Sequence, residues 1–377
     1  MAAPTLTRAQ LSRATLARQM LLEREPLGSV SAIERLAGMQ AQEPRHPFTG
    51  LWTRVQGFEQ EDLLRALRER EVVRATLMRS TLHLMSAADY AALRLALQPP
   101  PSVALRVLGA RSKGLDVDAV LPAARALLES RPLTFDEIRA RLQEAFPAVD
   151  DRALGYAVRT LLALVMVPSD DRFGFARVAR FALAEEWLGE PLDEHPRSPD
   201  GSRGAGGRER LVERYLGAFG PASAKDAGTW SGVGEMKAAM DGMRDRLEVF
   251  RDERGRELFD LPGAPRPDAE TPAPPRFLPE FDNLVLAHDD RSRVIADEHR
   301  PLVTTKNLRV RATFLLDGAV AGTWSVELKR KVATLVLAPF GALSGRARKA
   351  LEPEGEALLR FVEPGARAWD LKVAQSG

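Results

Sequence analysis

The chain has 377 residues, 45% of them hydrophobic, with 54 basic against 52 acidic side chains and a formal net charge of +2. That length exceeds one simple core and fits two or three domains of ordinary size. The absence of cysteine excludes disulfides, zinc–cysteine sites, thiolate nucleophiles and iron–sulfur clusters, leaving oxygen and nitrogen side chains for any chemistry.

In chain order, Thr7 reads as the N-cap of an amphipathic helix running to about Leu22, so the start does not resemble a signal peptide. A second helix from Ser29 or Ser31 is expected to end near Met39, and a third to cover Glu59 to Leu67. Val72–Met78 and Thr81–Leu84 alternate as paired strands. The same order then returns: helices from Asp116 to Leu128, from the Thr134/Glu137 capping box, and from Asp150 or Asp151 to Ala163. A hairpin of Leu164–Pro168 with Phe173–Val178 is expected to follow, turned at Asp170-Asp171. A third copy has helices at Glu209–Leu216, Ser223–Trp230 and Gly234–Met243, then a hairpin of Leu247–Phe250 with Glu257–Asp260 turned at Arg254-Gly255. Helix, helix, helix, hairpin is the winged-helix pattern.

Gly189 to Gly207 reads as a flexible linker, and Leu261 to Arg276, with six prolines, as an extended connector. Beyond it the texture is β-rich: Thr313–Leu316, a turn at Asp317-Gly318, Val320–Glu327 and Val332–Leu337, with Lys329, Arg330 and Lys331 at a hairpin tip. The expected fold is therefore α+β and mainly helical, with three tandem winged-helix units and a β-rich end, C-shaped around a basic channel. Its divisions are 1–100, 101–188, the linker 189–207, 208–262, the connector 263–276, and 277–377. No apolar run approaches the eighteen or so residues of a membrane span, so the chain is expected in the cytoplasm, associated with the nucleoid.

Arginine outnumbers lysine 46 to 8, which reflects genome composition more than a partner, so the distribution of charge is the better guide. Between Arg291 and Lys349 there are twelve basic and four acidic residues, a local excess of eight able to attract a polyanion.

The chemistry centres on Gln40-Ala41-Gln42. Two carboxamides spaced i, i+2 can face one ligand only if the backbone has left the helix, a break expected from Pro44 and Pro47. Neutral groups with donors and acceptors suit a substrate that already carries positive charge. Glu43 and His46 stand close enough in sequence to orient the pair. His83, on an alternating strand, is expected to be a satisfied, partly buried histidine. His288-Asp289-Asp290 with Asp282 is expected to form a turn pairing with Arg291 or Arg293 rather than a metal site; no metal or cofactor is expected.

The stretches Met39–Gln42, Arg79–Leu84, Leu278–Asn283 with His288–Ile295, and Gly322–Trp324 with Ala333–Leu335 give a chain that resembles the AlkZ-like family of bacterial DNA glycosylases. The resemblance spans about residues 7 to 343. It implies tandem winged-helix units and a Gln-hydrophobic-Gln catalytic motif, occupied here by Gln40 and Gln42. It also implies excision of cationic N7-alkylguanine-type bases, including bulky adducts and interstrand crosslinks, from double-stranded DNA. Such bases leave without protonation, so the enzyme has only to place water and stabilise an oxocarbenium-like transition state. No lysine adjoins the motif, so monofunctional hydrolysis to an abasic site by a monomer is expected. Lys329, Arg330, Lys331, Arg291, Arg293 and Trp324 are the expected DNA contacts. Two other readings are a winged-helix transcription regulator, against which the apolar helix around Gly155–Ala163 speaks, and a non-catalytic protein that sequesters alkylating natural products.

Overall fold

The computed structural model describes residues 3–98, 101–192 and 206–374. Among these residues the fold is α+β, with three sheets among the helices. The linker expected at 189–207 lies mostly outside the described residues.

Helix Arg8–Arg18 begins at a capping box in which Thr7 and Gln10 exchange hydrogen bonds. It ends earlier than Leu22 because Met20 adopts a left-handed backbone, φ 55°. Before it, strand Thr5–Leu6 runs parallel to Glu248–Asp252 and extends the hairpin with Glu257–Asp260 to three strands. The N-terminus is thereby tied to the third helical unit, and Arg18 reinforces the tie with a buried bidentate pair to Asp260 at 2.7 and 2.9 Å.

The largest sheet is antiparallel and has six strands in the order Met39–Gln40, Leu82–Ser86, Val72–Thr76, Leu164–Met166, Arg180–Leu183, Leu133–Thr134. It joins strands from both sides of residue 100 through the pairs Arg74–Met166 and Ala75–Val165. The partner of Leu164–Met166 is Arg180–Leu183, not the expected Phe173–Val178. Residues 173–178 alternate like a strand, but Phe173 and Phe175 are drawn into the core around Phe48 and Leu67, with the Phe48 and Phe173 rings 5.3 Å apart. Burying Phe175 and packing Phe173 against the same core outweighs a short ladder.

The helices preceding that hairpin start where the caps place them. Asp116 caps Val117–Ser130, the Thr134/Glu137 box opens Phe135–Ala145, and Asp150 caps Asp151–Leu161. Helices Gly207–Phe219, Ala224–Ser231 and Met236–Gly242 follow. Their Tyr215, Phe219 and Trp230 share a core with Val73, Tyr90 and Val165, so the helical units are packed into each other rather than strung apart.

The C-terminal sheet has five strands, Arg276–Leu278, Thr313–Leu316, Ala319–Lys329, Val332–Pro339 and Ala368–Val373, the last parallel to its neighbour. It carries a helix absent from the β-rich reading, Gly345–Val362, capped by Ser344. Leu351, Leu358 and Leu359 of that helix pack on Phe277, Leu335 and Leu337. Gly355 permits the approach, since a Cβ there would lie 2.8 Å from a Leu335 methyl. A buried bidentate pair, Arg54 with Asp282 at 2.7 and 2.9 Å, locks this part to the first unit.

Candidate active site

Helix Ser29–Arg35 stops well before Met39. Ala37 and Gly38 both take left-handed backbone, φ 54° and 89°, and turn the chain into strand Met39–Gln40. The break thus comes from these two residues, not from Pro44 and Pro47. Gly38 suits the position, because a Cβ would meet the Leu84 carbonyl oxygen at 3.0 Å. Gln40 pairs with His83, and Ala41 N–H donates to Leu82 O at 2.7 Å. The buried Arg74 guanidinium, stacked over Phe175, then donates to the carbonyls of Ala41 and Gln42 at 3.0 and 3.1 Å. The motif's backbone is held on both sides.

Gln40 is buried, and its Oε1 accepts a hydrogen bond from Arg79 Nη2 at 2.9 Å. Because guanidinium only donates, this contact fixes which end of the carboxamide is oxygen and leaves Nε2 free as a donor. Arg79 and Ser80 are consecutive left-handed residues, φ 55° and 57°. Arg79 also donates to the Trp230 carbonyl at the end of helix Ala224–Ser231. Gly232, in left-handed conformation, lets that helix end come within reach, since a Cβ there would sit 3.1 Å from the Arg79 backbone. Burial, and then the charge of Arg291, lower the Arg79 pKa to about 10, so it remains a cation at neutral pH. Arg79 lies in the stretch Arg79–Leu84 that resembles the family, but its role is set by Gln40 and Trp230, both distant from it in sequence.

Gln42 is exposed, so the two carboxamides occupy different environments. His83 is fully buried rather than partly so. Its Nδ1 lies 3.0 Å from Thr81 O, its Nε2 has no partner among the described residues, and burial lowers its pKa to about 3. It is neutral and walled in.

Gln40 lines a small polar cleft together with Gln19, His46, Arg54, Asp282 and Asn283. His46, Pro279 and Glu280 are shared between this cleft and a neighbouring cavity of about 380 Å³. Phe173, Trp324 and Phe361 supply aromatic surface to the larger space, and Arg45, Arg172 and Arg309 supply positive charge. Arg309 is held by Glu280 in a bidentate pair at 2.7 and 3.0 Å. Burial pushes the His46 pKa down to about 4, leaving it neutral. A concave space combining apolar walls, a few fixed polar groups and cationic side chains suits a flat ligand attached to an anion.

The expected DNA contacts fare differently. Lys329, Arg330 and Lys331 are exposed, and Arg330 and Lys331 form a two-residue turn with φ 50° and 66° between the paired Lys329 and Val332. Trp324 lines the larger cavity, but its indole N–H is directed at the carbonyls of Leu278 and Thr313, at 2.9 and 3.1 Å. Arg291 is half-buried beside Arg79, its Nε 3.4 Å from His288 O. Arg293 is buried, donating to Thr15 Oγ1 at 3.1 Å and Pro221 O at 3.0 Å. It is an internal strut and not a surface for DNA. Asp290 pairs with Arg254 and Arg256, and Asp289 with Lys225, instead of with Arg291 or Arg293. Asp282 is committed to Arg54, and His288 Nε2 lies against Phe219 O.

A family model described as DNA glycosylase AlkZ-like matches residues 33–361. A relative from Streptomyces sahachiroi, an interstrand DNA cross-link repair glycosylase, is 25% identical over 360 residues, covering 91% of this chain and 93% of that protein. A solved structure, the Streptomyces sahachiroi DNA glycosylase AlkZ, superposes with a TM-score of 0.78 at 22% identity, covering 98% of this chain and 100% of that one, and so has the same fold. With the family model matching most of its length, the chain belongs to the AlkZ-like family of DNA glycosylases.

Proposed function

We propose that the protein hydrolyses the N-glycosidic bond of cationic N7-alkylguanine-type bases in double-stranded DNA, leaving an abasic site. The observation that carries this reading is the fixed carboxamide of Gln40, tied through Oε1 to Arg79 beside a cavity of about 380 Å³ with aromatic walls and a cationic edge. A base alkylated at ring nitrogen seven already carries the charge that other leaving groups acquire from an acid. The residues around Gln40 accordingly need no strong general acid, and the neutral His46 is consistent with that.

The roles of the two glutamines divide. Gln40, its oxygen turned to Arg79, offers Nε2 hydrogens, whereas Gln42 presents an exposed carboxamide whose oxygen can accept from the attacking water and lie near the developing oxocarbenium. No lysine lines either cavity among the described residues, which favours hydrolysis over a Schiff-base lyase. The volume of the larger cavity, and a relative described as an interstrand cross-link repair glycosylase, favour bulky adducts and crosslinks among the substrates. The exposed turn at Lys329, Arg330 and Lys331 serves as a backbone contact. The protein acts as a monomer at the nucleoid, its tandem winged-helix units and C-terminal sheet forming the walls of a basic channel. Family membership speaks against a regulator or a sequestering protein.

The test is incubation with duplexes carrying one N7-methylguanine or one bulky N7 adduct, followed by hot alkali. Strand breaks at the lesion are expected. Their absence across a panel of small and bulky cationic lesions would overturn the reading.

A further inference from the structure

The small cleft lined by Gln40 has a volume of about 10 Å³, close to the least that a single water requires. Three other side chains on its wall carry a buried polar atom with no partner among the described residues: Gln19 Oε1, Asn283 Oδ1 and His46 Nδ1. These residues are 0%, 5% and 5% exposed. The two oxygens are assigned by their own anchors. Gln19 Nε2 donates to Ala218 O at 2.9 Å and Asn283 Nδ2 to Gly38 O at 2.7 Å, and since a carbonyl only accepts, the nitrogen must occupy that end.

Two buried acceptors cannot satisfy one another. They call for a small donor with two hydrogens. A hard metal cation asks for about six oxygens, and both carboxylates on the cleft wall are already bidentate with arginines, Asp282 with Arg54 and Glu280 with Arg309. No lysine reaches the cleft among the described residues. Water meets the demand: two hydrogens for the two oxygens, and two lone pairs for donors.

We infer that one ordered water occupies this cleft, donating to Gln19 Oε1 and Asn283 Oδ1 and accepting from Gln40 Nε2, which makes Gln19 and Asn283 positioning residues for Gln40. His46 Nδ1 supplies the fourth hydrogen bond as the neutral Nδ1–H tautomer. The carboxamide of Gln40 is then held at both ends, by Arg79 on its oxygen and by the water on its nitrogen, in a single orientation. Its second Nε2 hydrogen remains for the substrate. Asn283 closes a further loop, since its anchor, Gly38, is the residue whose left-handed turn launches the strand bearing Gln40.

The kinetic consequence rests on the glycosylase reading; the water does not. A crystal structure of the full chain at a resolution that orders solvent is expected to show one peak within hydrogen-bonding distance of Gln19 Oε1, Asn283 Oδ1 and Gln40 Nε2. An empty cleft, or a Gln40 nitrogen turned away from the peak, overturns the inference. Gln19→Met and Asn283→Leu are expected to slow single-turnover excision of N7-methylguanine roughly tenfold to a hundredfold with DNA affinity unchanged. Folded variants that excise at the wild-type rate would reduce the water to a structural filler and overturn the positioning role. If either variant fails to fold, the wild-type solvent peak and the Gln40 orientation decide. A wild-type protein with the water but no excision would count against the glycosylase reading alone.

Discussion

Arg79 Nη2 donates to Gln40 Oε1 at 2.9 Å across a separation of 39 residues, and the same guanidinium holds the Trp230 carbonyl of another helical unit. Orientation of the motif therefore depends on how the first and third units meet. Arg79→Met is expected to release the carboxamide and lower the single-turnover excision rate about tenfold to a hundredfold, roughly 1.4 to 2.7 kcal/mol of barrier. Arg79→Lys, which keeps the charge but offers a single donor head, should recover part of that loss. Equal DNA affinity in all three proteins, by fluorescence anisotropy, separates orientation from binding. A wild-type rate in Arg79→Met would remove the clamp from the mechanism.

Gln40→Ala and Gln42→Ala should each abolish excision while leaving DNA affinity within about threefold of wild type, since neither carries charge that phosphates would feel. They should differ in stability. Gln40 is buried and bonded to Arg79, so its loss leaves a polar partner unpaired at a cost of about 1–3 kcal/mol. Gln42 is exposed, so its replacement should be neutral within about 0.5 kcal/mol. Urea melts of the two variants would check the contrast; identical losses would contradict the different environments of the two glutamines.

Much of the fold is legible from local chemistry. Caps such as Thr7/Gln10, Thr134/Glu137 and Asp150 set helix starts within a residue, because they satisfy backbone groups close in sequence. What local chemistry cannot decide is which distant partner wins. Phe173 to Val178 has a strand's alternation, yet its aromatic residues are drawn into the first unit's core and Arg180–Leu183 takes the ladder instead. Arg293 looks like a DNA contact in a basic stretch, but its partners are Thr15 and Pro221. The Gln motif itself is visible as a pair of neutral polar groups. Its supports, Arg79, Gln19 and Asn283, are not, because each is far from it in sequence and meets it only in the fold.

The exposed hairpin tip should carry affinity without chemistry. Replacing Lys329 and Arg330 together by Ala is expected to weaken DNA binding and flatten the dependence of log K on log salt by up to about 2, near 0.9 for each phosphate no longer neutralised. At saturating protein the single-turnover rate should be unchanged. Lys329 is also paired with Glu327 at 2.5 Å, so its share of the slope is expected to be the smaller of the two. A salt slope equal to that of wild type would mean that the tip does not touch phosphate.

Among the described residues, three buried histidines set an acid limit on stability. Burial lowers His46 to about 4, and His83 and His288 to about 3, against an ordinary value near 6.5. The unfolded chain binds these protons at higher pH than the folded one. Their contribution to stability is thus complete above about pH 6.5 and falls as the pH drops toward 4 for His46 and toward 3 for His83 and His288. Between pH 7 and 5 each histidine can remove up to about 2 kcal/mol, so urea midpoints should fall steeply over that range. Asp89, raised by burial, acts in the opposite direction. His83→Gln should flatten the curve, and a midpoint independent of pH from 7 to 5 would contradict the neutral buried imidazoles.

Arg54 and Asp282 offer the sharpest stability test, because both are buried and their bidentate contact spans 228 residues. Arg54→Met strands the Asp282 carboxylate in the interior and is expected to cost about 3–5 kcal/mol. The double replacement Arg54→Met with Asp282→Leu removes both charges and should recover a large part of that loss, since desolvating two ions offsets most of what their attraction returns. Recovery would be incomplete for two identifiable reasons. Arg54 also donates to the carbonyls of Gln19 and Gly50, and Asp282 accepts from Leu284 N–H, so those groups lose partners. Asn283 and Gln19, one on each side of this pair, line the cleft at Gln40, so the double variant should excise more slowly than its restored stability alone implies. A double variant as unstable as Arg54→Met would show that the pair stabilises by geometry that apolar side chains cannot replace.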